Sequence, residues 1–264
     1  MKLALAQIHV EPGAPDSNLE RADRAVAEAA RSGADLVLLP EALDFGWTHP
    51  SAGAGAGPLP DGAAAARLRE AARRHRVGII AGLVERSGDG RLFNAAVVVD
   101  AEGRLLHRHR KIHELDFARE LYATGDSVEP VETPWGRIGV VVCADAFAPG
   151  FPHTRALGRA GVRWILSPCA WAVPPDRDLV REPYGQLWRD SYGPVCREHG
   201  IVIAGCSNVG PVTAGEWAGW RCIGGSLVVG PDGKEILQLP VGDAAEALGL
   251  VDLGAVRRAG NGTA

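Results

Sequence analysis

Apolar runs rich in Val, Ile and Leu recur through this chain of 264 residues, and they constrain its fold more than any other feature. "KLALAQI", "ADLVLLPE", "VGIIAGLVER", "LFNAAVVVD", "LLHRHRK", "GRIGVVVC", "VRWILSP" and "IVIAGCSN" each read as a strand. Most are apolar at nearly every position, so they need cover on both faces. Candidate helices supply it. Residues 16–32 carry Leu19, Ala22, Ala25, Val26 and Ala29 at helical spacing, with Asp16 or Ser17 as N-cap and Gly33 as C-cap. "AAAARLREAARRHR", capped by Asp61, "PHTRALGRAG" and "PYGQLWRDSYGPVCREHG" read as further helices. Strands alternating with helices argue a layered α/β domain. No repeat or linker divides residues 1–264, so one domain is expected.

The connections read simply. "DAEG" is a hairpin turn between two strands, and "CIGGSLVVGPDGKEILQL" reads as a final hairpin on Pro231-Asp232-Gly233. "SAGAGAGPLPDG" is a flexible loop. It lacks the spacing and the strand-to-helix setting of a phosphate loop. The closing "RRAGNGTA" reads as loose.

Composition excludes several classes. The net charge is −4 and no basic block is present, which argues against nucleic acid as a partner. No apolar run approaches a membrane span, and the apolar start of "MKLALAQIHV" is too short for a signal sequence. Five cysteines, an odd number with no C-x-x-C pair, argue against a disulfide framework or a zinc site. Reduced thiols in a cytoplasm are the expectation, with no metal and no cofactor.

Three reactive side chains stand at strand ends: Glu41 after "DLVLLP", Lys111 after "LLHRHR" and Cys143 after "GVVV". Ligand sites in α/β sheets gather at such ends. Taken singly, each residue reads as ordinary: a buried small thiol, a loop carboxylate, a solvated lysine. Together they suit covalent catalysis. A carboxylate takes the thiol proton, an ammonium and the N–H of Ala144 hold an oxyanion, and the carboxylate then activates water.

"LVLLPE", "HRKIH" and "GVVVCAD" resemble the three signature segments of the nitrilase superfamily, the carbon–nitrogen hydrolases. The likeness runs from about residue 2 to residue 253. It implies a four-layer αββα sandwich and a Glu41-Lys111-Cys143 triad without metal. It also implies a second glutamate between lysine and cysteine, assigned to Glu120 from its place before Gly125-Asp126, with Glu114 as rival. Family members pair through sheet-covering helices, so a homodimer or larger homo-oligomer is expected.

The chain also departs from the family. Ala144, Ala146 and Phe147 stand where relatives carry Tyr or Trp and arginines, and Glu120, Glu114 and Asp145 make the expected pocket acidic, so neutral or cationic amides are expected to outperform carboxylate-bearing ones. Arg155, Arg181 and Arg221 are the candidates for any basic clamp. Trp47, Tyr122, Trp171 and Tyr184 are candidate pocket aromatics, with Trp171 foremost. Trp217 and Trp220 either rim the pocket or lie at a subunit contact. The expected function is hydrolysis of a small linear amide, or else a nitrile or N-carbamoyl amine. The rivals are acyl transfer to an amine on the same cysteine, a non-catalytic binding protein, and a Cys–His hydrolase using His113.

Overall fold

A computed structural model describes residues 1–256, and "RRAGNGTA" lies outside the described residues. The first half of the chain contributes β1 (Lys2–Gln7), β2 (Leu36–Leu38), β3 (Gly78–Arg86), β4 (Leu92–Val99) and β5 (Leu105–Arg110). The second contributes β6 (Val131–Thr133), β7 (Gly136–Val140), β8 (Trp164–Cys169), β9 (Ala172–Val173), β10 (Val202–Ser207), β11 (Val209–Pro211), β12 (Arg221–Ile223), β13 (Leu227–Val229), β14 (Glu235–Gln238) and β15 (Ala247–Asp252). The helices are α1 (Pro15–Arg31), α2 (Ala52–Gly55), α3 (Ala63–His75), α4 (Pro152–Arg159) and α5 (Gln186–His199). Among the described residues, one six-stranded sheet runs β15-β1-β2-β3-β4-β5 and a second runs β14-β13-β10-β8-β7-β6. A small sheet, β11-β12-β9, stands beside them.

Alternation along the strands assigns the layers. Leu3, Leu5, Leu36, Leu38 and Ile80 of the first sheet pack on Ile138, Val140, Leu166 and Ala204 of the second. The intervening Ala4, Ala6, Val37, Ile79 and Ala81 face Ala22 and Val26 of α1 and Leu68 and Ala72 of α3. Over the second sheet lie Leu157 of α4 and Trp188, Tyr192 and Val195 of α5. Each fully buried Leu or Ile in these layers contributes about 1.5–3 kcal/mol. The result is the expected αββα sandwich.

Local details correct several readings. Neither Asp16 nor Ser17 caps α1. It starts at Pro15, whose fixed φ suits the first turn, and it ends before Gly33 at φ +81°. Asp61 does not cap α3, which follows an extended Gly62. The glycine-alanine tract is not all loop, since it holds the single turn α2. Residues 222–238 do not form one hairpin. Gly224 and Gly225 sit at φ +63° and +70°, breaking the run so that β12 joins the small sheet and only β13–β14 turn on residues 231–233. Strand β15, unread in the sequence, pairs antiparallel with β1 from Lys2↔Asp252 to Gln7↔Ala247.

Candidate active site

The two sheets bring their strand ends to one place. β2 runs out through Leu39 and Pro40, and the Glu41 N–H then bonds the Cys169 carbonyl of the second sheet at 3.1 Å. The turn crosses β3 directly over Gly82, where a Cβ would stand 2.4 Å from the Glu41 Cα. Only glycine permits that approach. Lys111 follows β5, and its carbonyl accepts the Gly125 N–H at 2.7 Å. Cys143 follows β7 through Val141 and Val142, at φ +44°, and opens a 3₁₀ turn over Cys143–Phe147. A left-handed conformation at a residue with a Cβ is strained by roughly 1–3 kcal/mol. Here the Cys143 N–H is held by Ser167 Oγ at 3.1 Å.

Lys111 Nζ donates to Glu41 Oε1 at 2.7 Å, and Asn94 Nδ2 donates to the same oxygen at 2.6 Å. Lys111 Nζ also lies 3.4 Å from Glu114 Oε2. Glu41, Lys111 and Glu114 are all buried. Burial alone would favour the neutral amine of Lys111. The charges of Glu114, Glu41 and Cys143 outweigh it and hold the lysine pKa well above its usual value. Burial lifts Glu114 to about 7 against the pull of Lys111. Burial, with the Cys169 thiol and Glu41 beside it, pushes the Cys143 thiol well above its usual value. The resting thiol therefore keeps its proton, and a base must remove it as it reacts.

One buried carboxylate ties the lysine strand to the cysteine turn. Asp145 Oδ1 accepts the N–H groups of Ile112 and His113 at 3.0 and 2.7 Å. Its Oδ2 accepts Val142 N–H at 3.0 Å and His109 Nε2–H at 2.8 Å. Burial opposes this charge, but His109 and the backbone donors hold the carboxyl at about 2.

A cavity of about 270 Å³ opens over these groups, lined by Glu41, Lys111, Cys143 and Ala144 at its polar end. Its walls are aromatic. Trp171 stacks on Trp188 with centroids 4.4 Å apart, and Trp217 on Trp220 at 4.1 Å. Trp47 meets Trp217 edge-on at 5.1 Å, with Lys111 Nζ 5.7 Å from its own ring centroid. Phe147, Tyr184 and Arg177 also line the wall. Among the described residues no cluster of three His, Cys, Asp or Glu side chains converges as a metal site requires.

The structure thus brings Glu41, Lys111, Cys143, Ala144, Trp47 and Trp171 to one cavity. Two expected residues are elsewhere. Glu120 is exposed at the end of the 3₁₀ turn Asp116–Glu120, in a surface depression with Thr48 and Glu216. Capture of Ile112 and His113 by Asp145 bends the chain so that Glu114, three residues after Lys111, comes to the lysine instead. Tyr122 does not line the cavity. It is buried behind the Trp47 segment, and its hydroxyl accepts Thr48 N–H at 3.2 Å. His113 faces Phe147 and makes no hydrogen bond with Cys143, so the Cys–His arrangement is not formed. Asn94, Ser167 and Arg177 were not read from the sequence, and Asp145 was expected as an acid of the pocket rather than as this anchor. Asn94 alone left a signal, as an amide inside a β-branched run.

The expected acidity of the pocket is not found either. Glu114 is paired behind Lys111, Asp145 with His109, and Glu120 faces solvent.

A family model for carbon-nitrogen hydrolases matches residues 2–259. A nitrilase of Pyrococcus abyssi is 31% identical over 78% of this chain and 80% of its own. An omega-amidase of Xenopus tropicalis is 33% identical over 54% of this chain and 55% of its own, so that match spans about half of each. Among solved structures, a variant of the amidase from Nesterenkonia sp. AN1 superposes with a TM-score of 0.80 at 27% identity. The match covers 96% of this chain and 89% of that one, and that structure carries the acetamide moiety of fluoroacetamide on its active-site cysteine.

Proposed function

The chain belongs to the carbon–nitrogen hydrolase family of the nitrilase superfamily, an enzyme family, and we propose that its reaction is hydrolysis of a primary amide through a thioester on Cys143. The observation that carries this reading is the meeting of Cys143, Glu41 and Lys111 on one cavity, with Lys111 Nζ 2.7 Å from Glu41.

Cys143 Sγ attacks the amide carbon as its proton passes to Glu41. The oxyanion that forms is held by the Lys111 ammonium and the Ala144 N–H, at the start of a 3₁₀ turn whose first N–H groups lack partners inside it. The C–N bond breaks, and ammonia leaves with the proton from Glu41. Water then gives a proton to Glu41 and attacks the thioester carbon. Collapse releases the carboxylic acid, and the Glu41 proton returns to the thiol. Glu114 keeps Lys111 charged and aimed, and Asn94 fixes Glu41. The relatives named as amidases support the amide reading over the nitrile one. The five cysteines are free and buried, in keeping with a reducing, cytoplasmic setting.

Intact mass after incubation with a panel of amides, ureas and nitriles tests this. Unmodified enzyme quenched in acid during turnover should carry the acyl adduct on Cys143, and a Glu41→Gln variant, which lacks the base for both steps, should carry none. Absence of any adduct across the panel, with no turnover by the unmodified enzyme, would sink the reading.

A further inference from the structure

We propose that Arg177 sets substrate choice, receiving a carboxylate at the far end of a flat, apolar acyl group; the inference rests on the amide-hydrolase reading above. Three side chains with permanent or paired charge line the cavity: Glu41, Lys111 and Arg177. Glu41 and Lys111 neutralise one another at 2.7 Å. Arg177 therefore carries the charge that the cavity leaves open.

Its guanidinium is under-used. Of five N–H donors, one bonds the Glu182 carbonyl, from Nη2 at 3.3 Å. The Nε is buried without a partner. The Glu182 carboxylate stands 3.6 Å from Nη1, outside hydrogen-bond distance, and its side chain is 67% exposed, so solvent screens that attraction. An incoming carboxylate displaces it and takes the planar fork in two-point geometry, which guanidinium favours.

The arginine is also held in place before any ligand arrives. Arg221 pairs with Val173 across β12 and β9, and reaches the carbonyls of Pro175 and Arg177 at 3.3 and 3.2 Å. The Arg177 N–H closes the turn on Pro174 at 3.2 Å. Preorganisation of this kind reduces the entropy lost on binding.

The rest of the wall selects what joins amide to carboxylate. The segment after Cys143 offers Ala144 and Phe147 but no cation, and the stacked Trp171–Trp188 pair presents a flat apolar face. A cavity of roughly 150 Å³ admits benzene, so about 270 Å³ holds a ring with an arm on each side.

The test uses a Cys143→Ala protein, which binds without turnover, and the tryptophans of the cavity as fluorescent reporters. The ligands are 4-carboxyphenylacetamide, its methyl ester and phenylacetamide. The free acid should bind about 10- to 100-fold more tightly than the ester, the range of one charge-assisted pair. Added salt should erode that advantage. Arg177→Gln in the same background should erase it, and Arg177→Lys should restore part of it. Equal binding of acid and ester overturns the proposal, as does an advantage that survives Arg177→Gln. An Arg177-dependent acid preference in a protein that hydrolyses no amide keeps the anion site and removes the amidase reading. Hydrolysis of all three amides at equal kcat/KM does the reverse.

Discussion

Asp145 offers the sharpest test of how the two halves of the site are held together. Replacing it with alanine strands the N–H groups of Ile112, His113 and Val142 and the ring N–H of His109 in a region with little exposure to solvent. Each stranded donor alone would cost about 1–3 kcal/mol. The four share one acceptor and relax together, so the sum overstates the loss. Removing one partner of a buried charged pair typically costs about 3–5 kcal/mol, and that is the expected destabilisation. The Asp145→Asn variant keeps one acceptor oxygen but turns an amide N–H toward Val142. We expect it to lose about 2–3 kcal/mol. Its activity should fall further. Val142 and His113 lie close to Cys143 and Lys111 in the chain, and a shift of about 1 Å between nucleophile and ammonium costs on the order of 100-fold.

Acid adds an independent signature. The folded state holds this carboxyl at about 2, below the ordinary value of 3.8. Its stabilising contribution is therefore complete above about pH 4 and is lost as the pH falls toward 2, about 2–3 kcal/mol in all. Urea unfolding at pH 7, 4 and 3, followed by tryptophan fluorescence, should show the wild-type advantage over Asp145→Asn shrinking below pH 4. Wild-type kcat/KM within threefold, together with a stability difference under about 0.5 kcal/mol at pH 7, would refute the coupling argued from these bonds.

Cys143→Ser should abolish turnover with the urea midpoint unchanged. Iodoacetamide should label Cys143, 8% exposed, ahead of Cys169, Cys196, Cys206 and Cys222, which are at most 2% exposed; peptide mapping decides. Lys111→Arg keeps the charge but not a compact donor, so kcat should drop about 100-fold or more in steady-state assays. Burial lifts Asp44 to about 7 against the pull of the Val84 and Phe45 N–H groups. Its raised value means a contribution that is full below about pH 4 and lost as pH rises through 7, so wild type should lose stability relative to Asp44→Asn between those limits in pH-dependent unfolding. Sedimentation at micromolar concentration should give a dimer or larger assembly, and a monomer would count against that expectation.

What was legible in the sequence was local. An apolar run that stops on Glu41, Lys111 or Cys143 shows both the strand and its reactive end within a few residues. Trp171 follows, because it sits just beyond the end of β8. The choice between Glu114 and Glu120 was not local. It depends on a carboxylate more than 30 residues away catching the Ile112 and His113 N–H groups. Tyr122 failed for a similar reason, since Thr48, far along the chain, claims its hydroxyl. Arg177 lies in a Pro- and Asp-rich loop without periodicity, where spacing says nothing about which side chain turns inward. Strand β15 was missed because only alternate residues of "ALGLVD" are buried, a weak edge-strand pattern.

The pairing of β15 with β1 also bears on how the protein is made. Residues 2–7 leave the ribosome first among the strands, and their outer edge waits for residues 247–252, about 240 residues later. At about 5–20 residues per second that interval is on the order of tens of seconds. Throughout it, a nascent chain carries an unpaired apolar edge, the kind of surface that recruits other strands and holding chaperones. Gln7 Nε2 grips the carbonyls of Pro240 and Ala245 at 2.8 and 2.5 Å, just ahead of the returning strand. That latch fixes the segment from which the returning strand sets out. A premature stop before residue 247 would leave Glu41, Lys111 and Cys143 in the chain, yet deliver it to aggregates and proteases rather than to the soluble pool.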